Sequence, residues 1–332
     1  MFQPDNQSSI SIVTRSPQLQ ADAVQVIVTV PTFRRPAQIL ETLASLQRQQ
    51  TARRFAVILI ENEADKREGA AAAAPLFESG AIEGMVIIAH ERGNCCAYNA
   101  GFETALANFP NFSWLAIIDD DELADPLWLE KLCETGENFG ADLVGGPQIP
   151  IFPEASGLRF TDHPVFAPHH QHSGPVAALY SSGNLLIGRH VLAAMGPPFL
   201  DLRFNFMGGG DSDFLSRAAA KGFKLAWCAE AVVRETVPAR RLEADWIRSR
   251  SLRNGVISTL VEKKKRAASP VGNLRVFAKS LALLVASPFR GLVKLAETGS
   301  PSTAIYPVYI AIGRVLAEFG YSNEQYRQPE KN

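Results

Sequence analysis

Continuous aliphatic runs alternate with stretches of helical spacing over the first 122 positions of the chain. VQVIVTV (Val24–Val30), FAVILIEN (Phe55–Asn62), MVIIA (Met85–Ala89) and WLAIIDDDE (Trp114–Glu122) read as strands buried on both faces, as in a parallel sheet. Between them, Ile39, Leu40, Leu43 and Leu46 recur at helical spacing behind Pro36, a suitable first helical residue, and predict a helix to about Gln50. Glu68–Phe77 and Tyr98–Asn108 predict two more helices. Strand and helix alternating with short connections specify an α/β sheet covered by helices.

After Asp142 the rhythm changes, with Pro and Gly frequent as far as HPVFAPHHQHSGP. Leu179–Gly188 predicts a strand that turns and returns, Asp213–Lys221 a short helix, and Lys224–Glu235 a last strand. Residues 1–22 are polar and aperiodic and are expected to form a mobile tail. In residues 273–297, Arg275, Lys279, Arg290 and Lys294 share one helical face while Phe277, Leu281, Leu284, Val285, Leu292 and Val293 lie elsewhere. That pattern, with KKKR (Lys263–Arg266) just upstream, predicts a basic amphipathic helix in contact with an anionic bilayer. Residues 303–319 form a second apolar segment, interrupted by Pro307.

Composition sharpens this picture in one respect. The net charge of −1 conceals fourteen Lys/Arg against four Asp/Glu between Arg234 and Lys294, a local +10 that calls for an anionic partner. No module for base readout accompanies it, so nucleic acid is set aside as that partner. Four cysteines without a CxxC pair form neither a disulfide framework nor a zinc pattern. The N-terminus lacks a signal-peptide h-region, and no 18 uninterrupted apolar residues occur, so a cytoplasmic protein is expected. His163, His169, His170 and His172 lie in a Pro-rich loop and are expected to be solvated rather than bound to zinc.

Candidate chemistry begins with Asp119, Asp120 and Asp121, three acids at the end of an apolar strand. They repel one another unless a cation compensates, and open α/β sheets bind ligands beyond that edge. Hard oxygen ligands of this kind suit Mg²⁺ or Mn²⁺ completed by substrate phosphates. A glycine loop, Met207–Gly222, presents Asp211 or Asp213 as a general base or, more plainly, as a helix N-cap. TFRRP (Thr32–Pro36) and the pair Glu61–Asn62 put polar groups at two strand ends. Arg248, Arg250 and Arg253 recur at helical spacing and are candidates for a diphosphate.

Six blocks in order, VTVPTFRR, VILIENEAD, AYNAGFETAL, IIDDDELADPLWLEKL, SSGNLLIGR and GGGDSDFLSRAAAKGFKLAW, resemble the family 2 glycosyltransferases. The stretch VVRETVPARRLEADWIRSRSLRNG is similar to the branch that assembles bacterial exopolysaccharides, including succinoglycan-type glucosyltransferases. The resemblance implies a GT-A fold, a Rossmann-like, mostly parallel sheet flanked by helices, followed here by a C-terminal amphipathic helical extension. The matching blocks span about Val24–Trp227 and extend to Gly255, so the GT-A domain is expected at residues 23–255, and the basic and apolar pattern puts the extension at 256–332.

It also implies roles. Thr32, Arg34 and Glu61 would surround the base and ribose, with Asn99, Asp120 and Asn184 also on the nucleotide-sugar side. Asp119 and Asp121 would hold Mg²⁺ or Mn²⁺, and Asp211 would be the catalytic base. The chain departs from the family pattern in carrying Glu61 for Asp, Tyr98 for Arg, Gly210 ahead of Asp211, and Arg234–Glu235 where a metal-binding His is usual. Asp213 therefore stays open as the base, and Glu235 as a metal ligand. The signature of processive synthases, Gln-x-x-Arg-Trp, is absent.

The expected activity is inverting transfer of one hexose from a nucleotide diphosphate sugar, UDP-linked, to a lipid-linked glycan at the inner face of a bacterial membrane. Two other functions share these features. One is a metal-dependent nucleotidyltransferase, for which TFRRP lacks the expected glycine. The other is a non-catalytic sugar-nucleotide or membrane scaffold.

Overall fold

A computed structural model describes residues 9–152, 155–322, 324 and 327. The predicted core strands are β2 (Val26–Thr32), β3 (Phe55–Glu61), β4 (Gly84–Ala89) and β5 (Trp114–Ile118), with β1 (Ile10–Arg15) ahead of them. They run parallel in the order β4-β3-β2-β5, with β1 antiparallel on the outer edge of β4. Beyond β5 the sheet continues through β10 (Asn184–Gly188), β7 (Leu143–Gly145), β11 (Leu225–Trp227) and β9 (Gly174–Pro175). β10 is antiparallel to both its neighbours, so the sheet is mixed but mostly parallel, as expected.

The strand pleat divides the core between two layers. Val26, Val28 and Val30 face α1 (Pro36–Gln47), α2 (Glu68–Glu78) and α4 (Trp128–Phe139) through Leu43, Phe77 and Trp128. Ile27, Ile58 and Ile87 face α3 (Asn94–Asn108), α5 (Arg189–Met195) and α6 (Gly210–Ala220) through Phe102, Leu192 and Phe214. Each such aliphatic or aromatic side chain contributes about 1.5–3 kcal/mol on burial, which explains why period-2 runs lock the register here.

The structure corrects several boundaries. The described part of the expected tail includes β1, whose Ile10 and Ile12 alternate along an edge strand paired with β4; residues 1–8 lie outside the described residues. The strand expected over Trp114–Glu122 stops at Ile118, because three carboxylates cannot continue a buried pleat. The chain turns, with the Glu122 amide donating to Asp119 O at 3.2 Å, and restarts as β6 (Glu122–Ala124). Lys224–Glu235 is two strands in two sheets: β11 above, and β12 (Val233–Thr236), which pairs with β6 and β8 (Gln148–Ile151). Only Asn184–Gly188 of the predicted Leu179–Gly188 element is a strand.

Nor does the C-terminal extension begin at 256. α7 (Ala244–Lys265) runs through that point, and its Val256 and Ile257 belong to the core. α8 (Gly272–Thr298) and α9 (Pro301–Glu318) complete a helical layer in which α9 packs against both others. Gly255 and Gly313 allow that approach: a Cβ on either would stand 2.2 and 2.1 Å from Ile310 O and Leu252 O. Buried Arg314 of α9 binds Ser258 Oγ at 2.7 Å and Glu262 Oε2 at 2.9 Å of α7. Pro307 lies inside α9 without ending it, as Pro288 does in α8. α9 is therefore part of the domain, whereas α8 keeps a broad exposed side.

Candidate active site

A cleft of about 1870 Å³ opens at the carboxyl ends of β2 and β5 and runs beneath α7 to α9. Its floor is the turn between β5 and β6. Thr42 of α1 fixes that turn by donating to Asp120 O at 3.0 Å and Glu122 O at 2.8 Å. α1 thus holds the acidic loop by its backbone, and all three carboxylates border the cleft.

Each acid has a distinct environment. Asp119 accepts the Tyr98 hydroxyl, so the Tyr that replaces Arg supplies a neutral donor rather than a charge. Burial, reinforced by the charge of Asp121, pushes Asp119 up to about 7. Asp120 is buried against Thr32 Oγ1 at 2.8 Å and Arg35 Nη1 at 2.7 Å; burial outweighs the arginine and raises it to about 6. Asp121 accepts from the same Arg35 nitrogen at 2.7 Å. Burial opposes the Arg35 charge, but Asp120 and Asp121 hold it firmly protonated. Nearby, Glu235 accepts from Arg241, and burial still raises its carboxyl.

The donor set suits a hard divalent cation. Asp119, Asp121 and Glu235 all line the cleft, and their mutual repulsion is what a cation would relieve. Gly183 keeps room beside them: a Cβ there would lie 2.8 Å from Glu122 Oε1 and 3.0 Å from Asp119 Oδ2. Among the described residues no group of three or more His, Cys, Asp or Glu side chains is arranged to hold a metal ion. Mg²⁺ does not require one, since one or two carboxylates and substrate phosphates suffice.

The two candidate bases separate clearly. Gly208 and Gly209 adopt positive φ of 82° and 93°, a turn that brings Asp211 into the first turn of α6 and to the cleft wall. Desolvation raises Asp211, moderated by the Ser212 amide at 2.8 Å and the charge of Arg250. Asp213 is buried instead, its Oδ2 held at 2.8 Å by both Arg217 Nε and Lys264 Nζ. It fastens α6 to α7 and does not line the cleft.

The other named residues divide in the same manner. Thr32 lines the cleft, as does Arg34, which pairs with Glu63. Glu61 is fully buried and outside the cleft lining: its carboxylate accepts the Glu63 and Ala70 amides at 2.9 and 3.0 Å and anchors the start of α2. Asn99 is likewise committed, donating to Leu200 O at 2.9 Å and accepting from Leu200 N at 2.8 Å. Asn184 borders the cleft, but its amide binds Pro147 O, Ala231 O and Trp128 Nε1 at 2.7–3.0 Å. Arg250 and Arg253 line the cleft, whereas Arg248 turns to Asp245 at 3.1 Å.

Arg35, Arg241 and Trp246 were not singled out from the sequence, yet all three line the cleft. Trp246 stacks on Phe166 at 6.1 Å and lies 5.8 Å below the guanidinium groups of Arg241 and Arg250. The usable signal for Arg241 was ARR lying just after Glu235, inside the basic segment.

Comparison with known proteins bears on the family and the fold. Residues 27–192 match the model of glycosyl transferase family 2. The Succinoglycan biosynthesis protein ExoM of Rhizobium meliloti (strain 1021) is 29% identical over 249 residues, 70% of this chain and 74% of that protein. The fold is similar to that of S. aureus TarS 1-349 in complex with UDP (TM-score 0.51, 11% identity, 90% of this chain and 91% of that one). The UDP-GlcNAc complex of the same protein gives a TM-score of 0.50 at 11% identity, with the same coverage.

Proposed function

The chain belongs to glycosyl transferase family 2, and from that premise we propose that it transfers one hexose from a UDP-sugar to a glycan carried on a polyprenyl diphosphate. The observation that carries this is the placement of Asp211 and the Asp119–Asp121 loop on one continuous cleft. A base and a cation-holding centre are thereby available to the same substrate.

In this reaction Asp211 accepts the proton of the acceptor hydroxyl while that oxygen bonds to C1 of the sugar. The bond from C1 to the diphosphate breaks on the opposite side, so the anomeric centre inverts. Asp119 and Asp121, with Glu235, would hold Mg²⁺ or Mn²⁺, whose charge offsets that of the departing nucleoside diphosphate. Arg241 and Arg250 stand on the same wall and add fixed positive charge. Thr32 and Arg34 border the nucleoside end, and Asp120 orients Thr32 and Arg35 there. Glu61, Asn99 and Asn184 support this pocket through the backbone bonds described above.

The donor assignment is supported by the UDP and UDP-GlcNAc complexes of S. aureus TarS, and the acceptor by the succinoglycan relative. α8 supports a place at the membrane. It has 27 residues, a mean hydropathy of 1.5 over its most apolar 18-residue window, and only 22% of that window buried. Leu274, Leu281, Val285, Phe289 and Leu292 are exposed together on its outward side, a band suited to the acyl boundary of an inner-membrane leaflet.

The test is thermal stabilisation by nucleoside diphosphates and nucleotide sugars, with and without Mn²⁺ or Mg²⁺. A ligand at a hundred times its Kd adds about 2.7 kcal/mol. A metal-dependent shift with UDP or a UDP-sugar is the expected result; no shift with any nucleotide would overturn the donor assignment.

A further inference from the structure

The cations of α8 are not where a helix resting on anionic lipid would place them. Its outward side, Leu274, Leu281, Val285, Phe289 and Leu292, is apolar, and its inward side buries Val276, Ser280, Ser287 and Gly291. Lys279, Arg290 and Lys294 occupy the edge between the two, and all three line the catalytic cleft. Spacings of eleven and four residues put them on one face, a row about 22 Å long at 1.5 Å per residue.

Lys265 and Arg266 at the end of α7 border the same stretch of cleft, as do the apolar Leu283, Pro307 and Ile310. Acidic groups answer this charge only in part. Glu262 takes Lys279 at 3.0 Å and also Arg266 and Arg314, and Glu297 takes Lys294 at 2.6 Å. Among the described residues no carboxylate pairs with Arg290. The cleft is continuous from Asp211 to this row, and the apolar side of α8 begins immediately outside it.

We infer that Arg290 and Lys294, one helical turn apart, bind the diphosphate of the lipid-linked acceptor, with Lys279 farther along the same cleft edge, while the apolar side of α8 alone holds the bilayer. This rests on the lipid-linked acceptor proposed above and assigns its diphosphate to residues outside the donor site. The prenyl chain leaves over the α8 edge into lipid, and the glycan runs down the cleft to Asp211. Membrane binding and acceptor binding are therefore separable functions of one helix: guanidinium and ammonium groups hold the diphosphate through charge-assisted bonds, and aliphatic groups hold the acyl layer.

The test uses the full chain saturated with UDP, so that a second diphosphate cannot enter the donor site. Binding of farnesyl diphosphate, farnesol and inorganic diphosphate is measured by calorimetry, and binding to phosphatidylcholine–phosphatidylglycerol vesicles by co-sedimentation. Arg290→Gln with Lys294→Gln is expected to weaken farnesyl diphosphate about tenfold or more, leaving farnesol and vesicle binding unchanged. Val285→Asp with Phe289→Asp is expected to abolish vesicle binding and leave farnesyl diphosphate affinity within about twofold.

Farnesyl diphosphate affinity within twofold of wild type in the Gln variant would overturn the inference. So would a parallel loss of vesicle binding, which would mean that these cations read bilayer headgroups. Inorganic diphosphate bound as tightly as farnesyl diphosphate would replace the lipid by a free phosphate ligand. UDP binding is measured first; its failure would undo the donor assignment, and the wild-type and Gln-variant comparison without UDP would then read this site by itself, since Arg290 and Lys294 lie outside the donor residues. Binding of the probe through Arg290 and Lys294 by an enzyme that glycosylates only soluble glycans would undo the acceptor assignment and keep the site.

Discussion

Glu235 is the antiparallel partner of Glu122, so two carboxylates face each other across the β6–β12 pair, one residue beyond the acidic triplet. Like charges in that relationship destabilise a sheet. Burial, followed by the charge of Asp119 and of Glu235, raises Glu122 well above its ordinary range; burial raises Glu235 as well. Arg241 donates to Glu235, and Gln148 and the Asp119 amide donate to Glu122. The cluster is only partly compensated by Arg35 and Arg241, and a cation there would relieve the remaining repulsion.

That arrangement sets a pH dependence of stability. Groups whose folded pKa is raised contribute stability below their unfolded pKa and lose it as pH rises through the folded value. For Asp119, up to about 7, and Asp120, up to about 6, the loss falls between the ordinary carboxylate range and neutrality. Urea midpoints measured with and without Mn²⁺ are expected to diverge as pH rises through that window, the metal-free protein being the weaker. Parallel curves would show that no cation meets these acids.

Asp211 and Asp213, two residues apart, are expected to fail differently. Asp211→Asn should lower kcat by about 10²–10⁴ and leave UDP affinity unchanged. Asp213→Asn should cost about 1–3 kcal/mol of stability by loosening Arg217 and Lys264, which keep Phe199 O and Asp201 as partners, while the folded fraction keeps most of its kcat. Chemical denaturation and initial rates on both variants check this; equal kcat losses would remove the distinction drawn from the geometry.

The rate should also titrate with Asp211. Desolvation raises this carboxyl, and a base must be unprotonated, so kcat is expected to fall on the acid side at a pH above the ordinary aspartate range. Arg250 opposes the shift, so Arg250→Met should move that limb to still higher pH. A limb that stays in place in the variant would contradict the electrostatic contact between them.

Asn184 supplies a structural counterpart. Asn184→Ala removes bonds to Pro147, Ala231 and Trp128 and leaves buried partners unsatisfied, a loss of about 2–4 kcal/mol. The KM for the donor should be unchanged in protein that remains folded. A large rise in KM without loss of stability would return Asn184 to the sugar-binding set.

The four core strands were legible because β-branched runs leave no other element to form, and the acidic triplet because it ends one of them. Individual polar roles were not. Glu61 and Asn99 look like ligands of a substrate until the amides of α2 and of Leu200 are seen to occupy them. Which arginine of TFRRP reaches the acids depends on Arg34, whose positive φ of 58° turns the chain so that Arg35 meets Asp120 and Asp121. β1 escaped notice because an edge strand with exposed positions carries only a brief alternation of Ile10 and Ile12. The resemblance pointed to Asp211, and the pairing of Asp213 with Lys264 takes that acid out of the cleft lining.

The most direct measurement is the slow release of sugar from UDP-glucose, UDP-galactose and UDP-N-acetylglucosamine to water, followed by proton NMR with Mn²⁺ replaced by Mg²⁺. The account predicts UDP and a first-formed β sugar from one α-linked donor, with release lost in Asp211→Asn while UDP still binds. A first-formed α sugar, or release unaffected by Asp211→Asn, would contradict an inverting displacement with Asp211 as its base.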